Sequence, residues 1–257
     1  MAINIIEYNL LRRMRQEKLL PLGGDILELG EANWYGDVDL KILSQDIAKY
    51  AAPERQQALL ASLQETVAAN GKWVLWDIAQ IYWETFLQPK SMTAIDFHGT
   101  AKALQLDLNG PIDLGRQFDV VMNIGTLEHV FNVAQGFKTV HDHTRPGGFM
   151  LHGMPFTGWI EHGFYNFNPT IIWDLAASNG YRVEMFIYSE IKPPKMVQLT
   201  EREQVLKMAK NRQIGDNAML YAVLRRPEEE KPFQLPMQGF YAESISPEAK
   251  AAWKTLR

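Results

Sequence analysis

Three short apolar runs, each with a polar residue or a glycine at or next to its end, constrain this chain more than any other feature. They are "DILELG" (Asp25 to Gly30), "MTAIDF" (Met92 to Phe97) and "FDVVMNIG" (Phe118 to Gly125). Each is continuously apolar instead of alternating, so each needs cover on both faces, the condition of a parallel strand between helices. A weaker run, "ALQLDL", Ala103 to Leu108, predicts a strand between the last two, and "FMLHGM" predicts another from Phe149. "YRVEMFIYSEI" (Tyr181 to Ile191) and "NAMLYAVLRR" (Asn217 to Arg226) complete the set, as strands paired near the sheet edge. Helical spacing separates them: "VAQGFKTVHDHT" is closed by "RPGG", and "PTIIWDLAASNG" carries Pro at its start and Gly at its end. Strands alternating with helices predict an α/β fold, a doubly wound, mostly parallel seven-stranded sheet.

The gap between Gly30 and Asp96 is about twice the roughly 30 residues that a strand, helix, strand crossover needs. A helical insertion is therefore expected after the first strand, at about 36–71, with a break at Pro53 and a stop at Asn70 and Gly71. Trp73 to Leu87 reads as the helix that returns to the sheet. A second helical insertion is expected over about 194–215. The remainder, 1–226, reads as one domain. "PEEEKPFQLP" opens a tail, 227–257, with the composition of a solvated linker; its later aromatics, Phe240, Tyr241 and Trp253, suggest docking on this chain or on a partner.

With 46% hydrophobic and 22% charged residues, a packed core is available and disorder is disfavoured. A net charge of −4 gives no electrostatic footprint for a polyphosphate backbone, so nucleic acid is not the expected partner. The absence of cysteine removes disulfides, thiolate metal ligands and a thiol nucleophile, which fits a cytoplasmic setting. The first residues lack the layout of a signal peptide, and no apolar run of about 20 residues predicts a membrane span. A homo-oligomer is compatible with the sequence.

In an open α/β sheet, ligands bind beyond the carboxyl ends of the strands. Those ends carry Glu28 and Gly30, Asp96, Asp107, and the stretch from Asn123 to His129. The order of "ILELG", "AIDF", "LDL", "FDVVMNIGTLEHVFN" and "RPGGFMLHGMPF" resembles the class I, Rossmann-like S-adenosylmethionine-dependent methyltransferases, from about Gly23 to Arg226. The resemblance implies S-adenosylmethionine as cofactor. It implies that Glu28 and the Gly30 turn face the methionine end, that Asp96 accepts hydrogen bonds from both ribose hydroxyls, and that Asp107 and Leu108 hold the adenine. Asn123 and Glu128 complete the cofactor set. Glu28 and Asp96 have a plainer reading, as acids that cap or salt-bridge a strand end. Gly30 is expected where a Cβ would obstruct the ligand.

Where the family usually carries further glycines, this chain has Ala32 and Trp34. Pyrophosphate must press against the backbone at a helix N-terminus, so their loss disfavours a nicotinamide-dependent oxidoreductase. A sulfonium ligand has no phosphate and tolerates side chains there. Trp34 and Tyr35 lead into the insertion, which makes this loop a candidate lid.

Methyl transfer from sulfonium is an in-line displacement, and alignment supplies most of the acceleration. A base is needed for a hydroxyl acceptor. His129 suits that role by position, and His162 is the rival; "LEHV" equally serves to seat the cofactor, with Glu128 and His129 holding the loop. The stretch "MPFTGWIEHGFYNFNP" (Met154 to Pro169) reads as an acceptor wall, with Trp159, Phe164, Tyr165 and Asn166 as substrate-binding candidates, or as aromatics packing the loop onto the core. It holds no Lys or Arg, which points to a neutral small molecule or sugar-containing intermediate and to O-methylation ahead of N- or C-methylation. His152 reads as a core histidine. "HDH" at His141 to His143 is not expected to bind metal, because residues i and i+2 do not face each other on a helix, and the transfer is expected to be metal-independent. The alternative is a catalytically silent cofactor-binding or scaffolding protein.

Overall fold

The pleat of the buried strands divides the core into two. In the computed structural model, which describes residues 2–243 and 245–255, Ile26 and Val120 belong to one apolar cluster while their neighbours Leu27 and Val121 belong to another. Successive strand residues point to opposite faces, so two clusters on one set of strands require cover on both sides.

The chain begins with β1 (Ala2–Ile3) and α1 (Ile5–Gln16). Asn4 caps α1 by accepting from the Ile6 N–H at 2.7 Å, and the Glu7 carboxylate accepts from the Asn4 N–H at 3.0 Å, a reciprocal cap. Then come β2 (Asp25–Leu29) and β3 (Asn33–Trp34), the latter paired in parallel with β1. The stretch expected to be an insertion holds α2 (Leu40–Tyr50) and α3 (Gln56–Ala69), and α3 ends on Asn70 in the left-handed conformation at φ +43°. Helix α4 (Val74–Phe86) returns to β4 (Ser91–Ile95). Beyond it lie β5 (Phe118–Ile124), α5 (Val133–His143), β6 (Thr144–Thr157), α6 (Thr170–Asn179), β7 (Arg182–Glu190), β8 (Lys195–Gln198), α7 (Arg202–Lys210), β9 (Ala218–Arg225) and α8 (Pro247–Thr255).

The central sheet has seven strands in the order β4-β2-β5-β6-β9-β7-β8. Pairing is parallel from β4 through β6, and antiparallel at β6/β9, β9/β7 and β7/β8, so only β9 and β8 run against the rest. Helices α1 to α4 share the cluster of Ile26 and Val120; α5 and α6 share that of Leu27 and Val121. Among the described residues no helix is long and apolar enough to cross a membrane.

Three expectations need correction. The run 103–108 is not a strand: it makes a single bridge, Leu104 to Ile95, and then turns at Asp107, whose carboxylate accepts from the Asn109 N–H at 2.9 Å. Leu104 and Leu106 lie exposed there, so only one side of the segment has cover. The seventh strand is instead β8, within the second insertion, which is therefore part strand and part helix. The stretch 227–234, read as a solvated linker, is mostly exposed but is tethered to the domain. Asn179 pairs with Gln234 in both directions, at 3.0 and 2.7 Å, and the Lys231 carbonyl meets His141 Nε2 at 2.8 Å.

Phe240 lines a cavity of about 240 Å³ with Trp173 of α6 and Leu206 of α7, so this aromatic of the tail docks on its own chain. Tyr241 is exposed, and the Trp253 side chain lies outside the described residues. Trp34 is buried beside Tyr8 and Tyr82, which ties the stretch after Gly30 into the core.

Candidate active site

Two cavities open at the carboxyl ends of the parallel strands and meet along Gly125 and His129, which line both. The first, of about 560 Å³, is bounded by Gly30, Asp96, Asp107, Leu108, Thr126 and Val130. The second, of about 330 Å³, is bounded by Asn4, Glu7, Tyr35, Glu128, Trp159 and His162.

Gly30 is required by its own backbone and by a neighbour. Its φ is +81°, and a Cβ would stand 2.6 Å from Thr126 Oγ1. That hydroxyl donates to the Leu29 carbonyl and so ties the end of β2 to the turn after β5. The obstruction expected from a ligand comes from the protein itself, and Thr126 is a site residue that the motifs did not single out.

Asp96 reaches the cavity wall with both carboxylate oxygens already holding backbone, the Glu31 N–H at 2.9 Å and the His98 N–H at 2.9 Å. Each oxygen keeps a further lone pair for a ligand. The adjacent turn is fixed by buried Glu31, which takes the Thr100 N–H at 2.5 Å and its hydroxyl at 2.9 Å. Asp107 is exposed; its hydrogen bonds from the Asn109 backbone and side-chain amides hold its carboxyl below the usual range. Leu108 is buried under the same wall.

Two of the expected cofactor residues point elsewhere. Asn123 is fully buried and lines neither cavity: its carbonyl accepts from the Leu127 N–H at 3.0 Å and its amide meets His152 Nδ1 at 3.2 Å. It shapes the turn that carries Glu128. Glu28 is likewise buried away from both cavities, with the Trp83 indole as its neighbouring donor. Burial pushes its carboxyl up to about 8, and Glu31 adds to the rise.

The turn Leu127–His129 sets Glu128 and His129 side by side on the second cavity. Glu128 is 0% exposed and neither carboxylate oxygen has a hydrogen-bond donor on another of the described residues; burial pushes its pKa up to about 7. His162 Nε2 stands 3.7 Å from Glu128 Oε1, and the His129 and His162 rings lie 5.0 Å apart. Burial, then the neighbouring His162, hold His129 below its ordinary value. The loop bearing His162 is pinned to this turn: the Phe164 and Tyr165 N–H groups donate to the Glu128 carbonyl at 2.7 and 3.3 Å. Trp159 anchors the other end, its indole donating to the Ala218 carbonyl at 3.0 Å.

Of the expected acceptor wall, Trp159 and His162 line the cavity. Phe164 is exposed against Phe131, Tyr165 donates to the Phe131 carbonyl at 2.7 Å, and the Asn166 amide donates to the Gly158 carbonyl at 2.8 Å; these three brace the loop and do not line the cavity. The opposite wall comes from the N-terminus. Glu7 is buried, takes the Tyr221 hydroxyl, and burial pushes its pKa up to about 7. Its only signal in sequence was the cap pair Asn4 and Glu7. His141 and His143 have both ring nitrogens engaged within the protein, by Tyr181 and Lys231 and by Thr139 and Leu114. His152 is buried, and burial pushes its pKa down to about 4.

No protein-family model matches the chain, and no curated protein matches it. Solved structures similar to it include the N-methyltransferase NodS from Bradyrhizobium japonicum WM9 with S-adenosyl-L-homocysteine, at 13% identity over 88% of this chain and 89% of that one, TM-score 0.46. Others are the glycopeptide N-methyltransferase MtfA, at 13% identity over 88% and 94%, TM-score 0.32, and the [4+2]-cyclase SpnF, at 11% identity over 87% and 82%, TM-score 0.41. At these values none of them assigns a residue or a reaction to this chain.

Proposed function

We propose that the chain is an S-adenosylmethionine-dependent methyltransferase acting on a hydroxyl of a small molecule. The observation that carries this reading is the junction of the two cavities at Gly125 and His129, beyond the carboxyl ends of β2, β4 and β5. The first cavity fits the implied cofactor in its donor set: a carboxylate at Asp96, apolar walls at Leu108 and Val130, and little side chain at Gly30 and Gly125. Its volume lies within the roughly 300–1,000 Å³ of small-molecule sites. Asp96 would hold ribose hydroxyls, and Leu108 and Val130 would flank the adenine. The cofactor supplies an electrophilic methyl group on sulfur.

The chain's own residues supply position and proton handling. Among the described residues lining the second cavity none is Lys or Arg, which disfavours an anionic acceptor. Glu128, His129 and His162 line it with a carboxylate and two imidazoles able to accept a hydroxyl proton, and Trp159 gives the acceptor a flat apolar surface. Glu7 closes the opposite side.

Calorimetry with S-adenosylmethionine and S-adenosylhomocysteine tests the cofactor step; failure of both to bind at high micromolar concentration would overturn the reading. The acceptor step is tested by following S-adenosylhomocysteine formation with matched hydroxyl and amine compounds. Turnover confined to the amines would replace O-methylation with N-methylation.

A further inference from the structure

We propose that Glu128, His129 and His162 form a binding site for one divalent first-row transition-metal ion on the wall of the second cavity. One ligand atom from each of these residues lies within 4.8 Å of the others. Two imidazoles and one carboxylate make a nitrogen and oxygen donor set suited to such ions, and less suited to magnesium or calcium, which favour oxygen alone.

Burial of Glu128 points the same way. Its side chain is 1% exposed, yet neither oxygen has a hydrogen-bond donor on another of the described residues, and His162 Nε2 stands 3.7 Å from Oε1. A carboxylate held out of water without a donor is costly, and structures keep one where a cation or a ligand completes it. Glu128 lines the cavity, so its oxygens lie where a bound ion would be reached from solvent.

The three residues also sit on a fixed frame. Leu127, at the head of the turn, is held by Asn123 through its N–H, and the His129 N–H donates to the Thr126 carbonyl at 3.0 Å. His162 is brought to the turn by the hydrogen bonds of Phe164 and Tyr165 to Glu128, and Gly163 leaves no gap, since a Cβ there would stand 2.8 Å from the Glu128 carbonyl oxygen. Ligands about 2.1 Å from an ion lie roughly 3 to 3.5 Å from one another, so ring rotations moving His129 and His162 by about an ångström close the set on Glu128. Both rings are exposed enough to rotate. Three protein ligands leave coordination positions open toward the cavity.

The site departs from the metal-free expectation drawn from the sequence. Its role rests on the methyltransferase reading: an ion there would hold the acceptor's oxygen beside the junction with the cofactor cavity and acidify its hydroxyl, in place of proton uptake by the three side chains that ligate it. Binding of the ion is independent of that reading.

The test uses the full chain stripped with a chelator. Zinc affinity is measured by competition with a chromogenic chelator, and cobalt binding by its visible absorption. One ion per chain is expected, with affinity weakened more than about tenfold in both Glu128→Gln and His162→Ala. Glu128→Gln is isosteric and His162 lies in an exposed loop, and near-ultraviolet circular dichroism confirms that each variant is folded. No zinc retained by the wild type, or equal affinity in wild type and both folded variants, overturns the site. S-adenosylhomocysteine calorimetry on the same samples separates the two readings: cofactor binding without zinc defeats the metal site alone, and zinc binding without cofactor defeats the methyltransferase alone.

Discussion

The hydroxyl of Thr126 stands where the Cβ of any residue other than glycine at position 30 would be, 2.6 Å from that position, while donating to the carbonyl of Leu29. The end of β2 and the turn after β5 therefore fit together only with glycine, at a φ of +81°. Gly30→Ala is expected to destabilise the fold by about 1–2 kcal/mol from the left-handed backbone alone, with a further cost from the clash. Urea unfolding measures it. Adding Thr126→Ala should restore the clash part, and a double variant no more stable than Gly30→Ala would show that the hydroxyl is not the obstacle.

Asp96 links two tasks, because the oxygens that would meet a ribose also hold the Glu31 and His98 amides. Asp96→Ala is expected to weaken S-adenosylhomocysteine binding more than tenfold, about 1.4 kcal/mol or more. Calorimetry reads this directly. Unchanged affinity would place the ribose elsewhere.

Glu28 makes stability depend on pH in an unusual sense. Its carboxyl is held at about 8 against an ordinary 4.5. Between those values the folded chain binds a proton that the unfolded chain has lost, so unfolding free energy falls as pH rises. The stabilisation is fully present below the unfolded value and gone above the folded one. Glu28→Gln removes this titration and leaves Glu7, Glu128 and His152 in place. The variant's stability relative to wild type is therefore expected to improve by on the order of 3 kcal/mol between about pH 5 and about pH 8. Parallel denaturation curves for the two proteins across that range would refute it.

Much of the sheet was legible because burial writes itself into the strands. "DILELG" and "FDVVMNIG" are apolar on both faces, and β2 and β5 form within one residue of those limits. What failed did so for local reasons. The run 103–108 alternates like a strand, yet Leu104 and Leu106 have cover on one side only, and Asp107 turns the chain. Strand β8, Lys195–Gln198, is half-buried, short and at the sheet edge, so it has little apolar signature. The site was harder. Asn123 has the residue type of a ligand, but its partners are Leu127 and His152, a relation that only the fold creates. Glu7 lies far from the motifs in sequence and reaches the site because β1 pairs with β3.

Glu7 and Tyr221 join that N-terminal wall to β9, and both are buried. Tyr221→Phe leaves a buried carboxyl oxygen without its donor, which costs about 1–3 kcal/mol. The lost hydrogen bond also favoured the charged form of Glu7, whose carboxyl burial already raises to about 7, so the variant's Glu7 rises further. The cost should therefore be larger near pH 8, where the carboxylate must charge, than near about pH 5. Thermal melts at both conditions decide it, and an equal loss at each would separate Glu7 ionisation from this contact.

Gly163 controls how closely the His162 loop approaches the Glu128 turn. Its backbone φ lies outside the left-handed region, so the requirement there is one of space. A Cβ would stand 2.8 Å from the Glu128 carbonyl oxygen and 3.1 Å from His129 Nδ1, both parts of a turn held by Asn123 and Thr126. The turn cannot retreat without breaking those hydrogen bonds, whereas the loop is exposed and can lift. Gly163→Ala is therefore expected to pull Phe164 and Tyr165 off the Glu128 carbonyl with little loss of global stability. Amide hydrogen exchange at those two residues should accelerate by about tenfold or more, the equivalent of about 1.4 kcal/mol of local protection, while amides of β2 and β5 exchange as in the wild type. Wild-type protection at Phe164 and Tyr165 would mean that the turn, and not the loop, gives way.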